Sequence, residues 1–205
     1  MIRIQNLSLP LDWDVRQLKK KAARLLGVRP EALEHFSIAR QSIDARNRHD
    51  VRYVCTVHVG TAEDEALVRR AHQPNITLYA PKPYVFPQVR RSSPIRPVVV
   101  GMGPAGLFAA LYLARAGLPC VVLERGRDVD ARTADVERFW STGALDPSSN
   151  VQFGEGGAGT FSDGKLTTGT HDPRISTALE TLVEFGAPED VAWSHKPHIL
   201  SLIHI

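Results

Sequence analysis

Over the first eighty residues, apolar positions fall into short runs of alternating or helical period, separated by breakers. Residues 2–7 alternate as a strand does, and Val15, Leu18, Ala22, Leu25 and Leu26 share one face of a helix that Gly27 closes. A turn after Pro30 leads to an extended run at 36–39, and the charged stretch 44–50 reads as a turn. Residues 51–59 alternate and are rich in β-branched side chains, which predicts the clearest strand of this half. Residues 61–72 predict a helix with Thr61 as N-cap and acids in its first turn, followed by a strand at 76–79. The order βαββαβ predicts a ferredoxin-like α+β module over residues 1–80. That fold hosts too many functions to assign one.

Pro81, Pro83, Pro87, Pro94 and Pro97, with Arg90-Arg91-Ser92-Ser93 among them, fit neither helix nor central strand, so residues 81–96 are expected to be a linker. The pattern then changes to a valine strand at 97–100, a glycine turn, a helix over 104–116 and a second strand at 120–123. This is the start of a Rossmann-type unit within a domain expected to cover residues 97–199. In the turn Gly101-Met102-Gly103-Pro104-Ala105-Gly106 each glycine has a task. Gly101 permits the tight turn, Gly103 admits a pyrophosphate where a Cβ would stand, and Gly106 lets the helix pack closely on the strand. The free amides and positive dipole of the helix start would hold the phosphates without a basic side chain. Glu124 ends the second strand, where a carboxylate can accept from a ribose diol and would repel a 2′-phosphate. NADP is disfavoured there; FAD and NAD both remain.

A second cluster, Gly154-Glu155-Gly156-Gly157-Ala158-Gly159-Thr160, is too glycine-rich for a stable helix or central strand and is expected to be a loop that offers backbone N–H groups to an anion or flat ring. Ser162, Asp163 and Lys165 follow it, either near a flavin or substrate or in a solvated Asp-Gly turn. No catalytic constellation is readable: His171, His195 and His198 lie apart in loop-like sequence, and no metal-ligand spacing occurs. Phe139 and Trp140 are expected in the core, on a helix over 133–140.

Composition adds constraints. No leading signal segment and no long apolar span is present, and the two cysteines, Cys55 and Cys120, sit in apolar β-like runs. A cytoplasmic chain with buried thiols, and no membrane partner, is expected. The net charge of +3 hides an asymmetry, with 17 basic and 9 acidic residues up to Arg96 but 8 and 13 after it. The basic half reads as a solvated face docking on an acidic neighbour rather than as a nucleic-acid surface, since Tyr53 is its sole candidate for base stacking. A non-catalytic module that contacts RNA or an acidic partner, or an NAD-binding unit, is the competing reading.

The segments RPVVVGMGPAGLFAALYLARAG, VVLERG, DVDARTADVERFW and above all SNVQFGEGGAGTFSDGKL, with IRIQNLSLPLD and QSIDAR near the start, give the chain a resemblance to a known family. It resembles the NAD(FAD)-utilising, FAD-dependent dehydrogenases related to glutathione-reductase-like flavoproteins, from Met1 to about Ile199. The resemblance implies a flavin-dependent oxidoreductase acting on a small molecule of unidentified class, with NAD(P)H as electron donor in the full-length protein. Gly101, Gly103, Pro104, Ala105, Gly106, Glu124 and Arg125 would hold the ADP half of FAD. Gly156, Gly157, Gly159 and Thr160 would lie on the pyrophosphate and flavin side. The resemblance stops before residues 200–205, which implies that the chain is an N-terminal fragment, with apolar surface of its short sheet left uncovered.

Overall fold

The apolar pattern of the first strand contains a break in parity that its structure explains. In the computed structural model, which describes residues 1–89 and 94–199, β1 (Ile2–Leu9) buries Ile2 and Ile4 and then Leu7 and Leu9. Strict alternation would have turned Leu7 outward. A β-bulge between Ile4 and Leu7, with Asn6 in the left-handed region at φ 59°, resets the parity so that all four face the core.

α1 (Val15–Leu26) follows, nucleated by a capping box: the Gln17 amide donates to Asp14 Oδ1 at 2.6 Å while the Asp14 amide donates to Gln17 Oε1. Gly27, at φ 66°, ends the helix as the pattern predicts. A 3-10 turn at Pro30–Ala32 leads to β2 (His35–Asp44), which is longer than the run 36–39 read from sequence. β3 (Arg52–Gly60) then returns antiparallel to both β1 and β2.

α2 (Asp64–Ala71) starts three residues later than expected, with Glu63 rather than Thr61 as its N-cap. Thr61 acts one step earlier: its amide and hydroxyl both donate to Asp64 Oδ1, and its oxygen accepts from the Glu63 amide. β4 (Ile76–Leu78) closes the sheet, whose order is β2-β3-β1-β4, antiparallel throughout. Leu18, Ala22 and Leu26 of α1 and Leu67 of α2 join Ile2, Ile4, Cys55, Val57, Val59 and Ile76 in one buried cluster. Burial pushes the Cys55 thiol up to about 11, so it stays protonated.

The chain divides into two compact units, Met1–Tyr84 with Leu166–Pro197, and Val85–Lys165 with His198–Ile205. Residues 166–197, which the sequence reading kept with the nucleotide-binding stretch, thus group with the N-terminal unit. The physical tie is backbone pairing at the second bulge of that sheet, beside Ala39: the Gln41 amide donates to Trp193 O at 2.8 Å and the His195 amide to Gln41 O at 2.8 Å. α5 (Arg174–Glu184) and a 3-10 turn at Glu189–Ala192 complete this unit, with Thr181 and Val191 buried.

The second unit contains β5 (Val98–Val100), α3 (Pro104–Arg115), β6 (Val121–Leu123) and α4 (Val129–Thr142). β5 and β6 pair in parallel as a two-stranded sheet. No residue of α3, β5 or β6 is buried, and Val98 and Val100 are 58% and 83% exposed. Parallel strands ordinarily carry cover on both faces. Here one face carries α3, whose Gly106 lies so near the Gly101 carbonyl that an added Cβ would collide with it. The expected linker residues Arg90 to Ser93, and residues 200–205, lie outside the described residues.

Candidate functional site

Three features meet where β5 ends. Gly101 makes the turn at φ 95°, and a Cβ at Gly106 would collide with the Gly101 carbonyl oxygen. Gly103 is the N-cap of α3, Pro104 takes the first helical position, and no side chain caps the helix. The first-turn amides of Ala105 and Gly106 are therefore offered outward at the positive end of a 12-residue helix. A Cβ at Gly103 would meet a single neighbour, the Cα of Gly157, at 3.8 Å.

That neighbour belongs to the second glycine cluster. The Gly156 amide donates to Met102 O at 2.9 Å, and a Cβ at Gly157 would stand 3.0 Å from the Cα of Gly103. Two stretches fifty residues apart are thus in backbone contact, and the approach calls for glycine at 157, where an added Cβ would crowd Gly103. Gly154, Gly156 and Gly157 all have positive φ, after which the chain makes a single 3-10 turn, Gly157–Phe161, with open space beside Gly159.

Glu124 sits at the end of β6 as the motif predicts, and its carboxylate is engaged from within. Oε2 accepts from the Met102 amide at 2.6 Å and Oε1 from the Gly126 amide at 2.9 Å, and these amides hold its carboxyl below the usual range. Its first effect is to fix the peptide between the two motif glycines. Arg125 lies with its guanidinium 4.2 Å from the Phe153 ring centroid, a cation-π contact inside the same unit.

The feature that sequence reasoning missed is Arg132. Its side chain is fully buried, and every one of its donor nitrogens is used. Nε donates to Asn150 O, Nη1 to Glu155 O and Thr160 Oγ1, and Nη2 to Val151 O and Gly157 O, at 2.5–3.4 Å. Burial lowers its pKa, against the attraction of Glu124. Glu155 adds a second tie, its Oε2 accepting from the Val129 amide at the start of α4. α4 is longer than the expected 133–140 and its buried face is largely charged, with Arg132 and Asp135 inside beside Val136. Trp140, expected in the core, is 54% exposed and meets Phe161 edge-on at 6.3 Å. The helix packs on a loop that presents carbonyl groups, so its inward face carries a guanidinium that satisfies them.

The remaining candidates are dispersed. Ser162 Oγ donates to Gly159 O, and Asp163 pairs with Lys165 at 2.5 Å across the Gly164 turn. His195 meets Arg40 at 3.2 Å in the first unit, and His198 bridges to Lys165 in the second. Among the described residues no group of three or more His, Cys, Asp or Glu could hold a metal ion, and no helix is long and apolar enough to cross a membrane.

Comparison with known proteins bears on both units. Residues 1–60 match a domain of unknown function (DUF8436), and residues 96–165 match the FAD binding domain. An uncharacterized protein of Clostridium beijerinckii is 44% identical over 207 residues, covering 97% of this chain. The chain spans 37% of that relative's length. The stretch with the two glycine clusters, Glu124 and Arg132 is thus similar to FAD binding domains, and this similarity supports FAD binding.

Proposed function

We propose that the chain is the dinucleotide-holding part of a flavin-dependent oxidoreductase, with the ADP half of FAD seated on a Rossmann-type turn at Gly101, Gly103 and Gly106. The observation that carries this is the open space beside Gly103, bounded by the uncapped start of α3 on one side and by Gly157 on the other. A diphosphate fits such a cradle: the Ala105 and Gly106 amides donate to it, and the helix dipole favours its charge. Gly156, Gly157, Gly159 and Thr160 line the flavin side, while Glu124 holds the Met102 amide and disfavours a 2′-phosphate. When bound, the isoalloxazine ring supplies the hydride or electron chemistry. The residues of this chain bind and orient it. Its dehydrogenase character, a nicotinamide donor and a cytoplasmic setting belong to the same proposal for the longer polypeptide. The ferredoxin-like reading of residues 1–80 is supported by the order β2-β3-β1-β4.

Equilibrium dialysis of the purified chain against FAD, NAD and NADP tests the reading. FAD is expected to be retained most and NADP least. Preference for NAD, or retention of none, contradicts it.

A further inference from the structure

A buried arginine without a carboxylate partner is an expensive feature, and the second unit keeps one at its centre. Arg132 is fully buried, and among the described residues it forms no ion pair; its charge is met by four backbone carbonyls and one hydroxyl. Those carbonyls belong to Asn150, Val151, Glu155 and Gly157, so one side chain gathers both ends of the glycine-rich loop. In a trans peptide the N–H of the next residue points opposite to the carbonyl. With the Glu155 carbonyl turned to the guanidinium, the Gly156 amide faces away and donates to Met102 O. With the Gly157 carbonyl turned the same way, the amide of the exposed residue Ala158 also faces away, and Gly157 itself abuts Gly103.

We propose that Arg132 is the positioning residue of the dinucleotide cradle: by drawing the loop carbonyls inward it presents the Ala158 amide outward, beside Gly103, toward the diphosphate. The inference rests on the FAD reading above. Arg132 touches no ligand in this role. It acts through the loop.

The test compares the unaltered chain with Arg132→Met, which keeps the volume and removes all five donors, and Arg132→Lys, which keeps the charge and part of the bonding. FAD affinity is read by quenching of flavin fluorescence, and amide hydrogen exchange is followed over residues 150–160 and 1–84. The Met variant is expected to lose about 100-fold in FAD affinity and the Lys variant about 10-fold. In the Met variant exchange quickens over 150–160 while residues 1–84 keep their protection. Met-variant affinity within about twofold of the unaltered chain overturns the inference. So does loss of FAD with loop protection unchanged, because Arg132 would then act other than through the loop. Failure of the unaltered chain to bind FAD overturns the cofactor reading itself, and is told apart from these by the unaltered chain alone.

Discussion

The two motif glycines that look alike in sequence have different physical tasks, and single substitutions separate them. Gly103 has φ −75°, which any residue adopts, and an added Cβ enters space that only Gly157 borders. Gly103→Ala should therefore change stability by less than about 1 kcal/mol while weakening FAD binding. At Gly106 the added carbon meets the Gly101 carbonyl oxygen, so Gly106→Ala should cost about 1–3 kcal/mol of stability in thermal melts. Equal stability loss in both variants would contradict this assignment. His58 supplies a pH-dependent term in the other unit. Its Nε2 accepts from Arg3 Nε at 3.3 Å, its ring stacks on Tyr79, and burial, then Arg3, His35 and the N-terminal amine, lower its pKa to about 4 from 6.5. Between those values the unfolded chain takes up a proton that the folded chain refuses, so stability is full above about pH 6.5 and falls as the pH drops toward 4. Melting temperature across that window should decline, and His58→Gln should flatten the decline. The turn glycines were legible because each answers a local backbone need, whereas Glu124 was read only as a ribose acceptor and its hold on the Met102 amide emerges from the structure. Arg132 was not legible, since its partners are carbonyl oxygens, which carry no residue identity.

At the level of elements, local signals placed nearly every helix and strand, and the misses have physical causes. α1 was readable because its apolar period and the Gly27 stop agree, whereas its Asp14 cap emerges from the structure. Asp14→Ala removes the capping box and should cost about 1 kcal/mol, measurable as a shift in the denaturation midpoint of the first unit. No shift would mean that the first turn is held by packing alone. The bulge in β1 was present in the sequence as the odd spacing from Ile4 to Leu7, and recognising it requires counting parity rather than apolar content. α4 was cut short in the sequence reading because an apolar inward face was assumed, whereas its inner side holds Arg132 and Asp135. The tie of residues 193–195 to Gln41 is backbone pairing at a bulged edge, for which no side-chain pattern exists.

For the whole molecule, every residue of the main hydrophobic cluster lies between Ile2 and Ile76, whereas α3, β5 and β6 bury none of theirs. Residues 1–84 produced alone should therefore melt cooperatively, as followed by far-ultraviolet circular dichroism. A featureless melt would show that residues 166–197 complete that core. The match of residues 96–165 to the FAD binding domain concerns the other unit, where stability and ligand are linked, because an anion held by amides that are otherwise bare should tighten it. The most direct test of the account is a titration of the purified chain with FAD, following flavin fluorescence, beside the same titration of Gly103→Val. The account predicts saturable binding at one site for the unaltered chain and none for the variant, with residues 1–84 folded in both. Saturable binding of equal strength by Gly103→Val, or none by either protein, would contradict it.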